Sequence, residues 1–242
     1  HLLSRRQRQM CIRDRYKMWH NAVITKQNKE LIQSVTSLSR GTASEQHLIL
    51  TLLKSGIHPQ AIFHDLYIVR NDGKFSQIDL VVATRVGIIV FEVKDFSGWI
   101  YGKGNQTKWT QVLAYGNEKY RFYNPLMQNN THIKQLRQKL KENVPFYSVV
   151  VFYGDSELQD ISFIPKGTFV TKWYRVIDVV NTIIQENPLA NYKNKHRVVE
   201  ILKEAVANGD ELGTESQHIE NIKNMLGTDR ILSLIHISEP TR

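Results

Sequence analysis

Apolar side chains recur along this chain with two periods, and each change of period marks a new element. Between Thr42 and Lys54 the repeat is helical, with Leu48 and Leu52, then Ile49 and Leu53, one turn apart. Thr42 followed three residues later by Glu45 is a capping-box start, and Gly56 supplies the stop. A fainter stripe of Leu31, Ile32, Val35 and Leu38 predicts a helical lead-in over 16–41. From 61 the period drops to that of strands. AIFHDLYIV (61–69) is β-rich and ends at the turn Asn71-Asp72-Gly73. FSQIDLVVAT (75–84) and VGIIVFEVKDF (86–96) follow with almost nothing between them. Gly98, Gly102 and Gly104 read as a turn, after which TKWTQVLAY (107–115) and EKYRFY (118–123) make a hairpin around Gly116-Asn117.

Helical spacing returns after Asn124-Pro125, with Leu126, Ile133, Leu136 and Leu140 predicting a helix that has proline at its first position. YSVVVFYG (147–154) is continuously apolar, the pattern of a strand buried on both faces. Helices are expected near 172–186, 190–207 and 214–226. The series defines an α/β chain: a central mixed β-sheet flanked by helices, then a helical C-terminal extension over 156–230.

Composition changes this picture mainly at the ends. Arg5–Arg15 and Leu232–Arg242 resemble translated sequencing adapters and carry no apolar period. The arm over 1–15 and the tail over 231–242 are therefore set aside as non-native. The arm holds five arginines and one aspartate, so it supplies +4 of the formal net charge of +9. The remainder is mildly basic, compatible with a phosphate-bearing partner without demanding one. The single cysteine, Cys11, lies in the arm, so neither a disulfide nor a thiolate zinc site is expected. No stretch reaches the ~18 apolar residues of a membrane span, and no signal peptide is visible, so a cytoplasmic protein is expected. With foreign ends, the native chain is open to being a fragment of a larger multidomain protein whose fused domain is missing.

Candidate chemistry gathers on two neighbouring strands. With Arg85-Val86 as a two-residue loop, Thr84 pairs with Gly87 and Asp79 falls directly opposite Glu92. Lys94, two residues on, shares that face. Along it the strand reads Ile88, Val90, Glu92, Lys94, an apolar face turning abruptly polar. Two facing carboxylates repel unless something positive lies between them. Lys94 partly neutralises the pair, and Mg²⁺ does so better, since it takes one or two carboxylates plus water and phosphate oxygens. A solvated Asp/Glu/Lys cluster is the competing reading, and on E-x-K alone it is the commoner one. His58, His64, His132, His196 and His218 show no paired ligand spacing, which argues against zinc. Lys134, Arg137, Lys139 and Lys141 make one helix side basic, ordinarily a solvated face.

Taken in order, Ser44-Glu45, Gln77-Ile78-Asp79, Glu92-Val93-Lys94, Gly98-Trp99, Trp109 and Asn124-Pro125-Leu126-Met127-Gln128 resemble the bacterial nuclease-related domain, a family of the PD-(D/E)XK nuclease superfamily. The resemblance implies a restriction-endonuclease-like fold over 42–155 and a metal-dependent nuclease acting on nucleic acid, with DNA the expected substrate. It implies Mg²⁺ or Mn²⁺ held by Asp79, Glu92 and the carbonyl of Val93, with Lys94 beside the attacking water. Glu45 would approach from the first helix as an outer ligand or water holder, a role that competes with its place in the capping box. Gln77 and Gln128 would touch phosphate, against the plainer reading of amides that satisfy nearby backbone. Asn124 reads as an N-cap, and Trp99 and Trp109 are expected in the core rather than stacked on bases. The alternative function is a catalytically silent nucleic-acid-binding or regulatory module.

Overall fold

The structure, a computed structural model, describes residues 25–70, 73–113, 116 and 118–210. The arm and tail, Cys11, His218, the helix expected at 214–226 and the turn residues Asn71, Asp72 and Asn117 lie outside the described residues. In chain order the first elements are α1 (Lys26–Gln33), α2 (Ala43–Lys54), β1 (Ile62–Val69), β2 (Phe75–Thr84) and β3 (Gly87–Asp95). Then come β4 (Gly98–Lys103), β5 (Lys108–Leu113), β6 (Glu118–Tyr123), α3 (Pro125–Leu140) and β7 (Phe146–Tyr153). β8 (Ser156–Ser162), β9 (Thr168–Lys172), α4 (Val176–Glu186) and α5 (Lys195–Ala207) complete the series.

The main sheet has the order β1-β2-β3-β7-β9, antiparallel through β3 and parallel beyond it. The β2–β3 hairpin turns on Arg85-Val86 with Thr84 opposite Gly87, the register expected from the sequence. α3 makes the crossover from the β3 side of the molecule to β7, whose two parallel neighbours explain its unbroken apolar run. Leu80, Val82, Ile89, Phe91, Val149 and Val151 pack on one face beneath α2 and α4. Val81, Ile88 and Val90 pack on the other beneath α3 and α5. No helix among the described residues is long and apolar enough to cross a membrane.

Two expectations are corrected. Gly98 and Gly102 do not mark a turn; they belong to β4, an inner strand of a second sheet ordered β6-β5-β4-β8. Gly102 sits in a strand because the Trp109 indole fills the space a Cβ would need. Residues 156–210, moreover, are not a purely helical extension. β8 pairs in parallel with β4, β9 forms an edge of the main sheet, and α4 and α5 each cover one of its faces. The inner face of the second sheet packs Ile100 and Trp109 on Val150, Phe152 and Leu126. Trp109 is fully buried and stacks on Phe152, as a core residue should, whereas Trp99 is 36% exposed on β4, contrary to expectation.

Candidate active site

The β2–β3 ladder stops at Leu80↔Phe91, one position short of Asp79 and Glu92. The β1–β2 pairing is interrupted at the same level, passing from His64↔Leu80 to Leu66↔Ile78. Asp65, which that pairing skips, has a φ of 55°, a left-handed conformation that aspartate adopts more readily than most residues. Where the β2–β3 ladder would continue, Asp79 Oδ2 accepts the backbone N–H of Val93 at 2.7 Å. A side-chain carboxylate thus takes the place of a strand carbonyl. In a strand the N–H and C=O of one residue leave along the same edge. The Val93 carbonyl therefore points into the gap beside Asp79. Oδ1 of Asp79 has no hydrogen-bond partner among the described residues.

Glu92 lies beneath α3 and is 1% exposed. Lys94 Nζ approaches its Oε1 at 2.6 Å. Its Oε2 faces His132 Nε2 at 3.5 Å, and among the described residues neither of these buried atoms has a hydrogen bond. His132 Nδ1 lies 3.2 Å from Ser76 Oγ. The sequence reading passed over His132 as a residue of this site. Its available signal was its position on α3, one helical turn beyond Gln128.

Charge is unevenly compensated here. Burial pushes Asp79 well above the ordinary carboxyl range, the negative charges of Glu92 and Glu45 push it further, and Lys94 and the Val93 N–H offset only part. For Glu92 burial acts in the same direction, but Lys94 and His132 outweigh it and hold the carboxyl below its usual value. Burial would lower Lys94, yet Glu92 and Asp79 outweigh it and raise the ammonium pKa. Lys94 is thus spent mainly on Glu92, while Asp79 is left among acids.

The remaining expected residues divide. Glu45 does occupy the third position of α2, where its N–H donates to Thr42 Oγ1 at 3.3 Å. Its carboxylate receives the Thr42 hydroxyl at 2.8 Å through Oε1 and lies 3.0 Å from His64 Nε2 through Oε2. Glu45 is therefore a capping residue whose charge reaches Asp79, with each oxygen already partnered. Gly41, at φ 69°, leaves the space into which these two side chains meet. The Gln77 amide donates to Asp65 Oδ1 at 2.7 Å, and Arg40 holds the other oxygen of Asp65 at 3.0 Å. The Gln77 amide is thus engaged with a side-chain carboxylate rather than with backbone. Gln128 is half-buried with no side-chain hydrogen bond among the described residues. Asn124 caps α3 as expected, its Oδ1 accepting the N–H of Leu126 at 2.9 Å.

The donor set fits a hard divalent cation. Asp79 Oδ1, the Val93 carbonyl and Glu92 Oε1 are oxygens, and Mg²⁺ completes so small a set with water. Among the described residues no group of three or more His, Cys, Asp or Glu side chains forms a ready-made metal cage.

A mixed α/β fold with paired acids and a lysine at a strand break is the frame of a restriction-endonuclease-like domain. Residues 40–153 match the family model of the nuclease-related domain. The chain is also similar to an uncharacterized protein of Bacillus anthracis, pXO1-01, at 26% identity over 185 residues, covering 76% of this chain and 84% of that protein. No solved structure matches it significantly.

Proposed function

We propose that this chain is a cytoplasmic, metal-dependent nuclease that hydrolyses phosphodiester bonds in nucleic acid, DNA foremost. The observation carrying this reading is the uncompensated acid at the strand break. Asp79 is crowded by Glu92 and Glu45 while its Oδ1 has no hydrogen-bond partner among the described residues. An isolated carboxylate so placed costs stability, and a cation-binding task accounts for its presence. Asp79, Glu92 and the Val93 carbonyl would hold Mg²⁺ or Mn²⁺. When bound, such an ion polarises the scissile phosphate and eases ionisation of a water. Lys94, held at the site by Glu92, would place its ammonium beside the reacting phosphate and offset charge that grows there. The strand scaffold fixes these groups before substrate arrives, so little reorganisation is needed.

The test compares Mg²⁺-dependent cleavage of a labelled oligonucleotide by the parent chain and by Glu92→Ala and Lys94→Ala. Loss of about 100-fold or more in both, with folding intact by circular dichroism, is expected from removal of a transition-state partner. Undiminished cleavage in both variants would discard the site. Salt-sensitive binding by the parent chain with no cleavage under Mg²⁺ or Mn²⁺ would favour the silent binding module instead.

His132 supports Glu92 from α3, and its buried Nε2 is the group beside the otherwise unbonded Oε2. Groups behind a metal-binding carboxylate commonly contribute ~10–100-fold to metal affinity. His132→Ala should therefore weaken Mn²⁺ binding by about that factor in calorimetry. His132→Gln, which keeps a donor on a side chain of similar reach, should recover part of it. Equal affinity in all three proteins would remove His132 from the site.

A further inference from the structure

The solvent-facing side of the second sheet has a composition that the strand break does not explain. Cross-strand partners share a face, so the ladder assigns each outward position. In one row Trp99 on β4 faces Val112 on β5, which faces Lys119 on β6. In the next, Tyr101 faces Thr110 and Thr110 faces Arg121. In the third, Lys108 faces Tyr123. Across β4–β6 these rows hold aromatic rings and cations without an acid, around a buried Val112, while on β8 the first two rows begin with Glu157 beside Trp99 and Asp160 beside Tyr101. Trp99 and Tyr123 are 36% and 49% exposed, and Lys108, Lys119 and Arg121 are exposed as well. Among the described residues none of these three cations has an ion-pair or hydrogen-bond partner.

Lysine on an edge strand such as β6 also discourages unwanted strand pairing. That purpose does not call for a half-exposed tryptophan two strands away, nor for tyrosine in the same rows. The opposite face of the same strands is a different surface, because there Trp109 and Phe122 are turned inward against the Phe152 cluster. Rings that remain exposed at a cost in apolar hydration are available for stacking, and unpaired cations beside them are available for phosphate.

We propose that the outer face of β4–β6 binds single-stranded nucleic acid, with Trp99, Tyr101 and Tyr123 stacking on bases and Lys108, Lys119 and Arg121 tracking the phosphate backbone. A single strand is the occupant because a ring can stack on a base only where that base is not already enclosed between neighbours. Successive rows are separated by two residues of strand, about 6.6–6.8 Å, so the sheet presents a short ladder of stacking and phosphate positions rather than one pocket. The face continues from β3 through only Phe96 and Ser97 into β4, so the strand that carries Glu92 and Lys94 leads directly to it. This rests on the nucleic-acid reading above and adds to it the form of nucleic acid held.

The experiment measures binding of a fluorescent single-stranded 16-mer to the full chain in EDTA, which makes it independent of metal and cleavage. Trp99→Ala/Tyr123→Ala should weaken binding about 10-fold or more, and Trp99→Phe/Tyr123→Phe should restore most of it because the stacking surface returns. Lys119→Gln/Arg121→Gln should weaken binding and flatten its dependence on salt, since fewer counterions are released. Binding in EDTA needs neither metal nor cleavage, so it is read independently of whether Glu92→Ala and Lys94→Ala lose cleavage. That separates a failure of this surface from a failure of the catalytic site. Parent-like binding by both the double-alanine and the double-glutamine proteins overturns the proposal. So does equal loss for the 16-mer and its duplex in the double-alanine protein, which would mean that the rings do not select unpaired bases.

Discussion

Asp79→Asn is expected to lose Mg²⁺-dependent cleavage and yet to unfold at a higher temperature than the parent chain in metal-free buffer. The two effects have one origin. Asp79 is pushed above its ordinary pKa by burial and by the charges of Glu92 and Glu45, so its ionised form opposes folding. Between the ordinary value of 3.8 and the higher folded one, the native chain holds a proton that the unfolded chain has released. The native state then binds more protons, and stability falls as pH rises through that window. Asparagine removes the penalty while its Oδ1 can still accept the Val93 N–H. The stability gap between variant and parent should thus be small in acid and full at neutral pH. Each kcal/mol recovered would appear as roughly 2–4 °C in Tm for a chain of this size. Thermal unfolding in EDTA across pH, beside a cleavage assay in Mg²⁺, reads both. A variant less stable than its parent without metal would show that Asp79 has a compensating partner, and the charge argument would fall.

The parts of this site that could be read from sequence share one property: they follow from strand geometry alone. A two-residue loop at Arg85-Val86 sets the β2–β3 register, and the register brings Asp79 level with Glu92. The sequence could not show that the ladder ends there, at the level where Asp65 on β1 is skipped by its own pairing. His132 was hidden for a related reason. Its role depends on how α3 crosses the sheet, a tertiary fact that no spacing within the helix encodes. β4 was missed because glycine is a poor strand residue on average, and only the Trp109 ring lying over Gly102 makes it the required one. Glu45 shows the limit from the other side. The Thr42-x-x-Glu45 pattern was legible, but His64, from a different element, completes the environment of its carboxylate.

Asn124→Ala should be among the most destabilising single changes in the domain, about 3 kcal/mol, although it removes only a small polar side chain. Asn124 is fully buried, and every polar atom of its side chain is used. Oδ1 caps α3, a contact worth ~1 kcal/mol in typical helices. Nδ2 donates to the carbonyls of Lys103, Gly104 and Gln106 at 3.2, 3.2 and 2.6 Å, and so draws the β4–β5 turn against the start of the helix. Alanine takes the donor from the carbonyls of Gly104 and Gln106, while that of Lys103 keeps the Trp109 Nε1–H, and a buried group left unsatisfied costs about 1–3 kcal/mol. Asn124→Asp separates the two roles. It keeps a capping oxygen but turns a second oxygen toward three carbonyls, so it should rescue little or nothing of the loss. Because α3 also carries Gln128 and His132, both variants should bind Mn²⁺ more weakly even where they remain folded. Urea unfolding of the three proteins decides the point. Stability of Asn124→Asp equal to the parent would reduce this residue to a helix cap, and the link between the second sheet and the helix that carries His132 would have to be sought elsewhere.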